Sequence, residues 1–102
     1  MAQKTTIKNK IKEFVKDIKN KIHVKSAYCF GSYVTGKSTP YSDIDVAIIS
    51  DDFTGFKFED RQKINPYILK HNINIEVHPF TLQELREKTP FLQAIIASGK
   101  KI

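Results

Sequence analysis

Tryptophan is absent, cysteine occurs once, and no uninterrupted apolar run approaches the length of a membrane span. A spanning helix needs about 20 apolar residues, and the opening stretch Met1 to Lys10 lacks the apolar segment of a signal peptide. Membrane insertion and secretion are therefore not expected. Cys29 has no second cysteine to pair with, which fits a reducing compartment and makes the cytoplasm the expected location. The three histidines, His23, His71 and His78, lack metal-ligand spacing and read as structural or exposed. His78 alone shares a strand face with an acidic residue. There is no internal repeat and no low-complexity linker. The 102 residues are the length of one small domain, so residues 1–102 are expected to form a single domain with one modest core.

What is present is positive charge and a moderate apolar content. The formal net charge is +6 and hydrophobic residues make up 40% of the chain, which suits a globular fold rather than a disordered one. Seven lysines fall between Lys4 and Lys21. A basic surface attracts nucleic acid, phosphates or acidic proteins without choosing among them; a solvated helix face explains this run most simply.

Periodicity gives the elements. Ile7, Ile11, Phe14, Val15, Ile18 and Ile22 recur at spacings of three and four, which predicts an amphipathic helix over Thr5 to Ile22, capped by Thr5 or Thr6. Val24 to Phe30 reads as a strand ended by Gly31, and Ser32 to Lys37 as a short helix or turn. Thr39-Pro40-Tyr41-Ser42 is a loop. Asp43 to Ile49 is a second strand, with Ile44, Val46 and Ile48 on one face and Asp43, Asp45, Ala47 and Ile49 on the other. A loop over Ser50 to Phe58 precedes a helical stretch from about Glu59 to His71, interrupted or begun afresh at Asn65-Pro66. Ile73 to Phe80 is a third strand that places Asn74, Glu76 and His78 on one face. Thr81 and Glu84 form a capping box for the next helix, and a last helix, Pro90 to Ser98, ends at Gly99. The order predicts an α/β (α+β) fold: a small mixed sheet of three or more strands covered by helices.

One motif is misleading. Gly31-Ser32-Tyr33-Val34-Thr35-Gly36-Lys37-Ser38 satisfies the P-loop expression G-x-x-x-x-G-K-[ST]. That motif works only when a helix opens at its Lys-Ser end and aims its N-terminus at the phosphates. Pro40 follows too closely and a strand begins by Asp43, so a P-loop is rejected.

The residues that carry chemistry are acidic. Asp43 and Asp45 are two apart on a strand and point the same way. Adjacent carboxylates repel unless a cation lies between them. Mg²⁺, a hard ion held by one or two carboxylates together with substrate phosphates, suits that geometry.

Between Gly31 and Asp45 the chain reads G-S-x-x-x-G, then S-D-x-D-V, which resembles the catalytic signature of the DNA polymerase beta-like nucleotidyltransferases. The resemblance is nearest to their minimal bacterial members, the MNT domains, and extends over nearly the whole chain. It implies that Gly31 and Ser32 cradle a nucleotide triphosphate. It also implies that Asp43 and Asp45, with Glu76 in Asn74-Ile75-Glu76-Val77 as the third acid, hold two Mg²⁺ ions around ATP. Lys37 is the nearby cation that could contact phosphate, and Tyr33 and Tyr41 could stack on a base. Two ions would stabilise the attacking and leaving oxygens of an in-line displacement. The chain departs from the family pattern at two points: Glu76 stands where aspartate is usual, and Tyr33-Val34-Thr35 lacks the arginine often found there.

The resemblance implies a Mg²⁺-dependent transfer of AMP from ATP to a protein hydroxyl, by an antitoxin that AMPylates a tyrosine of a HEPN-type ribonuclease toxin. The two departures motivate a second expectation: a weak or inactive member of the fold that neutralises its partner by contact. Nucleic-acid binding through the lysine-rich helix is the weakest expectation, with affinity falling steeply as salt rises. The sequence leaves homo-oligomerisation open.

Overall fold

A computed structural model describes residues 2–36 and 43–102. Its elements are α1 (Ala2–Lys19), β1 (Val24–Phe30), α2 (Ser32–Thr35), β2 (Ile44–Ser50), α3 (Lys57–His71), β3 (Ile75–Phe80), α4 (Leu82–Glu87), α5 (Pro90–Ser98) and β4 (Lys100–Lys101). The strands form one mixed sheet in the order β3-β2-β1-β4. β1 runs antiparallel to β2 and β4, whereas β2 and β3 are parallel, joined across the sheet by α3. Among the described residues, no helix is long and apolar enough to cross a membrane.

The alternation along β2 builds two cores. Ile44, Val46 and Ile48 pack with Ala27 and Cys29 of β1 and Ile75 and Val77 of β3 beneath Ile11, Phe14, Val15 and Ile18 of α1 and Ile64 of α3. Ala47 and Ile49 face the other way, onto Phe80, Leu92 and Ile95, with α4 and α5 above them. Each fully buried aliphatic side chain contributes roughly 1.5–3 kcal/mol, so both layers stabilise the sheet that carries the site.

Polar stitches fix the connections. Asp60, buried in the first turn of α3, accepts hydrogen bonds from the Thr54 amide (2.8 Å), the Thr54 hydroxyl (3.0 Å) and the Gly55 amide (3.0 Å). Asp17 of α1 meets Lys70 (3.0 Å) and His71 (2.9 Å) of α3. Thr81 and Glu84 form the expected capping box. On β3, the edge strand, the Val77 carbonyl accepts from Arg61 Nε at 3.3 Å and the Pro79 carbonyl accepts from Lys57 Nζ.

Several boundaries differ from expectation. The helix α1 begins at Ala2, because nothing in the preceding Ala-Gln-Lys breaks a helix, so Thr5 and Thr6 lie inside it rather than at its cap. α3 starts at Lys57 and runs unbroken through Pro66. A proline within a helix costs about 3 kcal/mol; Ile64 on one side of it and Tyr67 and Ile68 on the other are held against the core and carry the helix through. The strands containing Asp43 and Ile73 open one and two residues later, at Ile44 and Ile75. The fourth strand, Lys100–Lys101, has no apolar signature and escaped the sequence. Gly99 precedes it with ordinary extended dihedrals. There a Cβ would lie 2.7 Å from the Cys29 carbonyl oxygen, so glycine is required for close approach rather than for φ.

Candidate active site

The site forms on the second face of the sheet, beside the N-terminal end of α5, whose Phe91 meets Phe30 and His78. Asp45 is the second residue of β2, registered with Phe30 on the β1 side and Glu76 on the β3 side. The chain leaves β1 through Gly31, whose φ of +79° and ψ of −152° are readily adopted only by glycine. A Cβ on Gly31 would lie 2.5 Å from Asp45 Oδ2. The bare glycine backbone therefore lies directly against the carboxylate, and Ser32 opens α2 beside it. Sequence predicted both the turn and the acid; the fold brings them into contact.

Parallel pairing then supplies the second acid. Asp45 and Glu76 are register partners, and His78 follows on the same face two residues along β3. The three offer ligand atoms that all lie within 4.8 Å of one another. His78 Nε2 is 3.1 Å from Asp45 Oδ1 and 4.0 Å from Glu76 Oε2. The Asp45 side chain is half-buried and that of Glu76 is 54% exposed, so the group opens to solvent on the Glu76 side. His78 is held by rings: its centroid is 4.9 Å from Phe30 and 6.0 Å from Phe91 of α5.

Asp43 is exposed immediately before β2 and does not join the three-residue group. Lys37, proposed on sequence as a phosphate contact, lies outside the described residues, as do Ser38 and the loop containing Tyr41. Tyr33 turns away from the acids and packs against the first core. On sequence His78 reads as structural or exposed, because its partner Asp45 is 33 residues distant; only the shared face with Glu76 points to it. His71 pairs with Asp17, and exposed His23 lies 2.7 Å from Asp51.

The donor set fits a divalent cation. Two oxygen donors and one nitrogen converge, two of the three are formally acidic, and like charges so close favour a cation between them. Asp45 and Glu76 could hold the ion with open positions left for water and phosphate oxygens.

Shifted ionisations lie elsewhere. Burial pushes the Cys29 thiol from its ordinary 9.0 up to about 11, against a smaller opposing pull from Lys100. Burial also raises the Tyr33 phenol. The hydrogen bond from His71, and then that from Lys70, hold Asp17 below its ordinary 3.8. Cys29 and Tyr33 line a cavity of about 190 Å³ on the α1 side of the sheet, rimmed by Lys8, Lys12, Lys100 and Lys101.

A family model described as a nucleotidyltransferase domain matches residues 8–102. The chain belongs to the nucleotidyltransferase domain family. A crystal structure assigned as a nucleotidyltransferase from Sulfolobus solfataricus superposes with a TM-score of 0.61 at 21% identity, covering 78% of this chain and 70% of that one, a likeness of fold. A crystal structure of a toxin-antitoxin with AMP-PNP matches with the same TM-score, 0.61, at 26% identity, over 91% of this chain and 69% of that one. No protein of curated function matches. Within this nucleotidyltransferase domain, the Gly31-Ser32 turn and the Asp45 strand that carried the resemblance on sequence are adjacent in space.

Proposed function

We propose that this nucleotidyltransferase, a single domain over residues 1–102, transfers AMP from ATP to a hydroxyl of a protein partner in the cytoplasm. The partner is a HEPN-type toxin, its acceptor a tyrosine, and the chain acts as the antitoxin. The observation that carries this reading is the contact of Gly31 with Asp45, with Glu76 directly across the register. A phosphate-binding turn and a carboxylate pair lie side by side, as phosphoryl chemistry requires. The structural likeness to a toxin-antitoxin bound to AMP-PNP supports the partner and the nucleotide class.

The roles follow from the atoms. Gly31 has no side chain to keep a phosphate away, and the Ser32 amide and hydroxyl donate to phosphate oxygens. Asp45 and Glu76, with Asp43 at the mouth of the strand, would hold the Mg²⁺ ions; when bound, the metal would supply neutralisation of the charge that develops on the phosphate oxygens. The acceptor hydroxyl oxygen bonds to the α-phosphorus as the bond to the β-phosphate breaks and pyrophosphate departs. The open carboxylate of Glu76 takes the hydroxyl proton. Positioning provides most of the acceleration in such reactions.

A second reading is neutralisation by contact alone. The exposure of Asp43 outside the three-residue group favours it. The discriminating experiment incubates the protein with labelled ATP, Mg²⁺ and the product of the adjacent gene. Label on the partner, lost in the Asp43→Asn, Asp45→Asn double variant, supports transfer. Protection of cells by that same variant, with no label in the wild type, supports contact.

A further inference from the structure

We propose that His78 Nε2 is a direct ligand of the divalent ion held by Asp45 and Glu76, and that the site binds Mn²⁺ more tightly than Mg²⁺. The inference deepens the metal-dependent reading above and rests on it. Its starting point is geometry: Nε2 is 3.1 Å from Asp45 Oδ1 and 4.0 Å from Glu76 Oε2, separations that ligand atoms of one ion can adopt. All three side chains project from the same face of adjacent parallel strands, so no backbone rearrangement is needed to bring them together.

The ring is also pre-set. Phe30 and Phe91 meet it edge-on at 4.9 and 6.0 Å, and Phe30 and Phe91 meet each other at 5.9 Å. Phe80 braces Phe91 from behind, also at 5.9 Å. Such contacts contribute about 0.5–1.5 kcal/mol each beyond buried area. They limit the imidazole to orientations that keep Nε2 towards the acids, so little ordering entropy remains to be lost when an ion arrives.

Donor chemistry then selects the ion. Mg²⁺ takes oxygen ligands and gives up water reluctantly. Imidazole nitrogen strengthens a site for first-row transition ions, while the carboxylates still suit Mn²⁺. One nitrogen beside two carboxylates therefore shifts preference towards Mn²⁺.

The test uses the full chain without nucleotide, so no activity is read. Mn²⁺ binding is followed by loss of the free-ion EPR signal, and Mg²⁺ by competition. The wild type is expected to bind Mn²⁺ more tightly than Mg²⁺, and pulsed EPR of the loaded protein to show coupling to an imidazole nitrogen. His78→Ala and His78→Gln are both expected to weaken Mn²⁺ by at least about tenfold and to leave Mg²⁺ unchanged. The glutamine variant is decisive, since its amide still donates to Asp45 but has no imidazole nitrogen to ligate with. Full Mn²⁺ affinity in His78→Gln, or no nitrogen coupling, overturns the inference and shows that His78 only orients Asp45. The metal reading itself fails separately, if the wild type binds neither ion or if Asp45→Asn binds both as well as the wild type does. Thermal unfolding of each variant excludes loss of fold as the cause.

Discussion

The two faces of β2 are built from alternate residues of one seven-residue strand, yet they have different fates. Ile44, Val46 and Ile48 lie beneath α1 and α3 along their whole length. On the opposite face, Ala47 and Ile49 are covered, but Asp45 at the strand's start is only half-buried. The covering helix of that face, α5, is nine residues long; its Leu92 and Ile95 pack on Ala47 and Ile49, and its Phe91 meets Phe30 and His78 beside the acids. The candidate site lies at the margin of the second layer, with Glu76 open to solvent. The closed face gives rigidity, and the open end of the other spends that rigidity on holding a carboxylate pair.

Five changes break or sharpen this contrast, in decreasing order of effect. Asp45→Asn on the open face is expected to lower label transfer on the order of 10³-fold and to leave the thermal unfolding midpoint nearly unchanged, because the side chain supports no core. Ile48→Ala on the closed face should do the reverse. It empties a site with no solvent exposure and is expected to cost about 2–5 kcal/mol in denaturant unfolding, with transfer retained wherever the protein remains folded. Gly31→Ala lies at the boundary between the two. Its Cβ would meet Asp45 Oδ2 at 2.5 Å, at a φ of +79°. Displacing the carboxylate should reduce transfer about 10²-fold, and the backbone strain should cost about 1–3 kcal/mol of stability.

The fourth and fifth concern pH and separate the first core from the helix surface above it. The Cys29 thiol rises to about 11 in the folded chain from an ordinary 9.0. The unfolded chain therefore loses its proton first, and stability that is intact below pH 9 falls as pH rises towards 11. Cys29→Ala is expected to remove that alkaline slope from a denaturation series. Asp17 gives the smaller, opposite effect. Its folded value lies below 3.8, so its contribution is present above that pH and is lost as pH falls through the lowered value. Asp17→Asn should flatten the acid limb of the same series.

The contrast between the faces was partly legible in the residues. Period-two alternation showed that Asp45 and Ile48 point oppositely, and the same rule placed Glu76 and His78 together. What no local pattern contained was the pairing of β2 with β3, which brings residue 45 level with residue 76. His78 passed as structural for that reason: its meaning depends on a strand 33 residues earlier. Similarly, the proximity of Gly31 to Asp45 was implied only by the family resemblance until the β1–β2 register placed Phe30 opposite Asp45. Pro66 misled in the other direction, because a local breaking signal was overridden by core contacts on both sides of it.

The carbonyls of Val77 and Pro79, capped by Arg61 and Lys57, have a consequence for self-association. β3 is an outer strand, and alternate residues of such a strand turn their peptide groups away from the sheet. At those positions the hydrogen-bond acceptors are already taken by cationic side chains, and Pro79 has no amide to offer. The β3 margin is thus protected against a further strand, as natural sheet edges are. A second copy or a foreign chain meets occupied acceptors along this edge, which disfavours growth of the sheet from β3.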